Sequence, residues 1–209
     1  MKIERTNQTS FGAIHISNIR TISKNIQPDL QVYKLSKDDK KFISSLSESI
    51  KVKDLMPDIP FYKLDVWQEL FNIASWQVLD SRKTGVMITS NKKPCGLMAF
   101  TPSHLDIICT WPIETGKKVP FAGTALMKTL FEEFIKREKF FLTLNAVTNG
   151  PFSNVSKFTR LGFKQTGGEN YLTSMQTNRN KILEVLQDLN KSLKTIPVES
   201  NRNIDLFTL

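Results

Sequence analysis

The sequence predicts a mixed α/β fold, with one central sheet holding antiparallel and parallel strands and helices packed against it. Three apolar runs, at 85–89 (GVMIT), 96–101 (GLMAFT) and 105–111 (LDIICTW), are joined by short connections, the pattern of an antiparallel meander. A helix-patterned segment and then another apolar run, 140–147 (FFLTLNAV), follow, which suggests a crossover to a parallel neighbour. A short helix over 152–161 then stops at Gly162, and 163–175 supplies one or two further strands.

In chain order, residues 11–19 (FGAIHISNI) read as a strand with Phe11, Ala13 and His15 on one face and Ile14 and Ile16 on the other, and 29–35 as another. Ser36 caps a helix over 36–50, with acids in its first turn and Phe42, Leu46 and Ile50 on one side. Residues 53–60 carry two prolines and read as a connection. The helix over 61–80 bears an apolar stripe of Leu64, Trp67, Phe71, Ala74 and Val78, the spacing of a core face. Residues 90–94 (SNKKP) have hairpin chemistry. After the loop at 116–121, Met127, Leu130, Phe131, Phe134 and Ile135 mark an inward helix face, and Lys128–Glu132, Glu132–Lys136 and Glu133–Arg137 are expected as i,i+4 pairs on the outer one. Residues 180–195 read as an amphipathic helix with Ile182, Val185, Leu186, Leu189 and Leu193 on one face. Leu186, Leu189 and Leu193 are candidates for a dimer contact, so the chain is expected as monomer or homodimer. The division expected is an N-terminal extension (1–28), a catalytic-type domain (29–178), and a C-terminal helix and tail (179–209).

Composition bounds the function. The chain is 40% hydrophobic with 14 Phe, enough apolar surface for a core and against wholesale disorder. Its 29 Lys+Arg outweigh 20 Asp+Glu, giving +9, which favours an acidic partner such as a phosphorylated cofactor or nucleic acid. There is neither an RNP-like aromatic strand, nor a zinc finger, nor an Arg-rich stretch, so nucleic acid has weak support. Cys95 and Cys109 sit inside apolar runs without metal spacing, so neither a disulfide framework nor a Cys/His metal centre is indicated. The N-terminus lacks an apolar signal core and no run approaches the length of a membrane span, so a cytoplasmic protein without a membrane partner is expected.

The functional signal lies in 116–130 (GKKVPFAGTALMKTL). A strand, a loop with Gly and Lys, and a helix start form an anion site, because the first N–H groups of a helix lack intrahelical acceptors and its dipole favours negative charge there. On the strand before it, Asp106 is an acid inside an apolar run, His104 shares its face by alternation, and Glu114 follows in the loop. These three are the candidate proton acceptors, and Tyr171 in the final strands is a candidate acid.

This order of elements, the loop Lys118-Val119-Pro120-Phe121-Ala122-Gly123 followed by Thr124-Ala125-Leu126, and the segment SNVSKFTRLGFK together resemble the GNAT N-acetyltransferase superfamily over about residues 30–175. The resemblance implies a mixed sheet of about six to seven strands that splays open for the pantetheine arm of acetyl-CoA. It implies pyrophosphate contacts from Lys118, Val119, Pro120, Phe121, Ala122, Gly123 and Thr124, backbone contacts to the arm near Trp111 and Ile113, and a further cofactor contact at Asn154. It also implies acetyl transfer to a primary amine: a small molecule, a protein or an aminoacyl-tRNA. Three positions depart from the family's pattern. Lys118 replaces a Gln or Arg, Phe121 stands at the first Gly, and Phe158 stands where many members carry a Tyr that protonates the departing thiolate. The alternative is a catalytically silent acyl-CoA-binding or interaction module.

Overall fold

The structure is a computed structural model, and it describes residues 12–22, 29–57, 60–148, 153–169 and 171–198. Its strands form one sheet in the order β7-β8-β6-β5-β4-β3-β2-β1-β9. The strands are β1 (Ile14–Thr21), β2 (Leu30–Leu35), β3 (Thr84–Ser90), β4 (Lys93–Phe100), β5 (His104–Thr110), β6 (Phe141–Val147), β7 (Lys164–Glu169), β8 (Leu172–Asn178) and β9 (Leu193–Pro197). The helices are α1 (Lys40–Ser49), α2 (Val52–Leu55), α3 (Phe61–Gln77), α4 (Ala122–Ile135), α5 (Val155–Arg160) and α6 (Arg179–Asn190). The mixed α/β architecture is the one expected. The nine strands described exceed the expected six to seven because Ile14–Thr21 and Leu193–Pro197 add β1 and β9 to the same sheet, pairing antiparallel at one edge.

Two apolar layers cover the sheet. On one face Phe71, Ala74 and Val78 of α3 join Phe42, Ile43 and Leu46 of α1 over Met87, Leu97, Ala99 and Cys109. On the other, Leu126, Leu130, Phe131 and Phe134 of α4 meet Val86, Ile88, Met98, Leu105 and Leu144, with Ile182 and Leu186 of α6 closing the layer. Gly96 lets α4 settle, since a Cβ there would lie 3.0 Å from Leu126 Cδ1. Ser36 and Asp39 form a reciprocal capping box at the head of the first helical segment, a 3₁₀ turn over Lys37–Asp39 that runs into α1. Arg179 donates to the orphan carbonyls of Ile135 (2.7 Å) and Arg137 (2.8 Å) at the end of α4.

Several expectations are corrected. The 53–60 connection contains part of α2, whose hydrophobic neighbour Met56 is buried. The first strand begins at Ile14, and a bulge between His15 and Ser17 breaks the simple alternation, placing Ile16 and Ile19 together on the α4 side and Ala13 on the other. Phe11 lies outside the described residues, as do the turn at 149–151, Phe152 and the tail beyond 198. Leu64 belongs to α3, but its side chain is outside the described part. Lys128 is not on an outer face: it is buried, and its ammonium pairs with Glu132 inside the molecule. Glu133 pairs with Lys136 at i,i+3 (2.6 Å). Leu193 leaves the helix and opens β9, where it is fully buried, and Leu186 is buried as well, so α6 spends this face within its own chain.

Candidate active site

The site begins with a strand pair that comes apart. β5 and β6 run parallel but pair only at His104↔Thr143 and Leu105↔Leu144. Beyond them Asp106–Thr110 and Asn145–Val147 diverge without a shared ladder. Trp111 N–H donates to Cys95 O (3.0 Å), and Cys109 and Ile107 share its parity against β4. In an antiparallel pair the residues between point the other way, so the N–H and C=O groups of Ile108 and Thr110 face the opening. The Trp111 backbone donor expected to line this gap is therefore already used by β4, and its ring is core, edge-on to Phe71 at 4.8 Å. Ile113 packs partly buried against the α4-side core. Ile108 and Thr110 were missed because the sequence alone does not give the register between β4 and β5.

At the end of β5 the chain turns through 111–121 into α4. The first helix bond is Ala125 N–H to Phe121 O (2.7 Å), so the N–H groups of Ala122, Gly123 and Thr124 have no acceptor within the helix. Phe121 adopts φ +63°, ψ 0°, the left-handed conformation that glycine takes without cost. This explains the residue type expected at that slot, and it shows that Phe121 preserves the turn at an energetic penalty while 38% exposed. A Cβ on Gly123 would be 3.9 Å from Thr110 Cγ2, which leaves the first turn of α4 open on that side. Val119 packs partly buried against the α4-side core; Lys118 and Pro120 are exposed.

The loop is pinned. Gly116 N–H donates to Leu55 O (2.9 Å) and Thr115 Oγ1 to Asp54 O (3.2 Å), tying it to α2. Glu114 lies between Lys117 (2.9 Å) and Lys93 (3.6 Å), and the hydrogen bond from Lys117 holds its carboxyl below the usual carboxylate range. A carboxylate so paired is a poor proton acceptor and a good organiser of two lysines beside the helix start.

Asp106 sits at the apex of the opening as the extra residue of a bulge: Ala99 pairs with Ile107 and Phe100 with Leu105. Its Oδ1 accepts from Lys83 Nζ at 2.5 Å, and Lys83 also donates to Gln77 at the end of α3 (3.0 Å). Asp106 Oδ2 is buried without a partner among the described residues. His104 Nδ1 meets Thr143 Oγ1 at 2.8 Å, bridging the two strands where they still pair. Asn154 lies across the opening, its N–H on Val147 O (3.1 Å) and its Oδ1 buried without a partner among the described residues. Such an orphaned acceptor calls for a donor from outside. Phe158 is core, its ring 5.9 Å from Phe163 and edge-on to it. Tyr171 is at the β7–β8 hairpin, 73% exposed. Cys109 is buried, and burial pushes its thiol up to about 12, so it is no nucleophile.

Solved structures share this fold. FdhC, an apo nucleotide-linked sugar GNAT, matches with a TM-score of 0.52 at 12% identity, over 83% of this chain and 97% of its own. The fold is the GNAT acetyltransferase fold. An uncharacterized protein (bh2621) from Bacillus halodurans also matches at 0.52, with 12% identity over 85% of this chain and 98% of its own. A paia N-acetyltransferase from Thermoplasma acidophilum, in complex with coenzyme A, matches at 0.47, with 15% identity over 71% and 98%. No family model matches the sequence, and no curated protein is significantly similar to it. The structure brings together Asp106, His104, the Ile108–Thr110 backbone, the start of α4 and Asn154 around one opening. Glu114 is held aside on the surface, and Tyr171 stands at the β7–β8 hairpin beside the end of β6.

Proposed function

We propose that the chain is an acyl-CoA-dependent N-acyltransferase, with acetyl-CoA the simplest donor. The observation that carries this reading is the opening between β5 and β6, with unladdered backbone groups at Ile108 and Thr110 on one wall and Asn154, held by its N–H on Val147 O, on the other. These are partners for the amides of a pantetheine arm. The free N–H groups of Ala122, Gly123 and Thr124, with Lys117 and Lys118 beside them, fit a pyrophosphate. Bound there, the cosubstrate supplies an activated thioester carbonyl. The chain's own part is to hold that carbonyl against a β5 N–H, which polarises it, and to bring the amine to it in order.

Proton handling departs from the family's usual route. Phe158 has no hydroxyl to give to the leaving sulfur, so water supplies that proton. Asp106 is neutralised by Lys83, so its role is to fix the bulge and the apex. Phe158 also favours a second reading, a silent acyl-CoA-binding module of the same shape. Titration calorimetry with acetyl-CoA and desulfo-CoA tests the site. Micromolar binding that is lost in Gly123→Trp and weakened in Lys118→Glu is expected, and absence of binding to either ligand would sink the reading. Thiol release with an amine acceptor then separates the enzyme from the silent module.

A further inference from the structure

We propose that the open groove of about 600 Å³ over the β6–β8–β7 surface is the acceptor subsite, and that it takes a small polyhydroxylated primary amine with the chemistry of an amino sugar. This rests on the acyl-CoA reading above. Three observations carry it: where the groove begins, what lines it, and what does not.

The groove begins at Asn145, the first residue of β6 beyond the last position paired with β5. It therefore opens at the apex of the strand divergence, where a thioester held against Ile108 or Thr110 would be presented. It also lies on the sheet face that carries the His104–Thr143 bond, since Thr143 and Asn145 alternate together along β6. α3 packs on β4 and β5 of this face, while further along Phe141, Asn145 and Leu172 are exposed.

The lining is Asn145, Gly168, Glu169, Tyr171, Leu172 and Ser174. Ser174 Oγ donates to Asn145 Oδ1 (3.1 Å), which turns the amide N–H₂ of Asn145 outward as a donor pair. Tyr171 is fixed at the hairpin by its carbonyl, which accepts from Thr148 N–H (2.8 Å), and its exposed ring offers a flat apolar face. An amide, a hydroxyl and an aromatic face suit the hydroxyls and the C–H side of a sugar ring. Among the described residues Glu169 is the one carboxylate of the lining, enough for one ammonium and too few for a polyamine. Neither Lys nor Arg lines it among the described residues, so a phosphate of the acceptor is placed outside it. A free amino sugar and a nucleotide-linked one share this chemistry inside the groove.

In the step itself the ammonium first loses a proton to solvent. The neutral nitrogen attacks the thioester carbonyl carbon, the C–N bond forms, the C–S bond breaks and the sulfur leaves as thiolate; the nitrogen, now positively charged, gives its second proton to water to become the amide, and the thiolate takes a proton from water. Glu169 holds the amine and touches no other reacting atom.

The test uses the full chain with acetyl-CoA, following thiol release with glucosamine, a UDP-linked amino sugar, spermidine, phenethylamine and a short peptide with a free N-terminus. The amino sugars are expected to exceed the others in kcat/KM by at least about tenfold. Comparing glucosamine with its UDP-linked form tells the two sources apart. Glu169→Gln should raise KM for the sugar by about tenfold, and Tyr171→Ala should do so by several-fold, both without changing acetyl-CoA affinity by calorimetry. A preference for spermidine, phenethylamine or the peptide, an unchanged KM in both variants, or acetyl-CoA binding with turnover of none of the amines overturns the inference alone. Failure of acetyl-CoA to bind overturns the acyl-CoA reading instead.

Discussion

Removing the carboxylate of Glu132 tests how the central helix is tied to the edge of the sheet. Lys128 lies on α4 and is 1% exposed, and its ammonium meets Glu132, itself 29% exposed. Glu132 Oε1 also accepts from Thr195 Oγ1 on β9 (2.9 Å), so one carboxylate links α4 to the last strand. In Glu132→Ala the buried ammonium loses its partner among the described residues, and breaking a buried pair in this way costs roughly 3–5 kcal/mol. Because Glu132 is partly exposed and water can follow it inward, about 3 kcal/mol is expected, at the low end of that range. Lys128→Met, which removes the charge and keeps the length, should cost about 1 kcal/mol or less, because the remaining carboxylate can hydrate. Lys128→Met combined with Glu132→Gln should recover most of the stability lost in Glu132→Ala. The assay is urea denaturation, read as the midpoint at constant slope; in a chain of this size the Glu132→Ala melting temperature should fall by roughly 6–12 °C. If Glu132→Ala and Glu132→Gln both stay within about 0.5 kcal/mol of the parent, the ammonium is not buried as described and the reasoning fails.

Other residues give shorter tests. Phe121→Gly relieves a left-handed residue but loosens the unfolded chain; the opposing effects, each about 1 kcal/mol, should leave stability within about 1 kcal/mol of the parent, and a larger loss in the urea midpoint would mean the ring is anchored. Cys95 and Cys109 have thiols pushed up to about 12 by burial, so a thiol reagent at pH 8 should label neither until urea unfolds the chain; rapid native labelling would contradict their placement. Asp80 accepts from the side chain and backbone of Arg82, which lowers its carboxyl to about 2. Its contribution to stability is present above the unfolded value of about 3.9 and fades as pH falls toward the folded value. Carboxyl NMR should find its midpoint well below that of a free Asp, and an ordinary midpoint would show the turn to be open.

Much of this architecture is written in local pattern. The meander, the crossover helix and the stop at Gly162 each follow from periodicity and turn chemistry that act over a few residues. The edge pairing of β1 with β9 does not, because it joins segments some 175 residues apart and no local signal states which edge a terminal strand will find. Lys128 was misplaced for a related reason: its i,i+4 partner is real, but helix geometry alone cannot tell an exposed pair from a buried one when the covering strand comes from the far end of the chain. In the site, the Lys/Gly loop and Asp106 were visible as residue types. The Lys83 partner of Asp106 and the divergence after Leu105 depend on tertiary placement.

The two phenylalanines at departing positions share a logic that yields a pH test. Phe121 takes the backbone conformation a glycine would take, and Phe158 fills core space against Phe163 as a tyrosine ring would, so both preserve shape while removing a chemical option. For Phe158 the lost option is a phenolic proton. An enzyme that needs such a proton slows as pH rises past about 10, the ordinary phenol value. Here the rate should instead rise with pH as the acceptor amine loses its proton, and then stay level, because the sulfur leaves as a thiolate that needs no acid from the protein. The measurement is kcat against pH from 6.5 to 10.5, checked for retained fold at each end. A first-order alkaline fall with a midpoint near 10 would refute this route. If Tyr171→Phe abolished that fall, the acid would be Tyr171 at the groove, reaching the sulfur from the acceptor side.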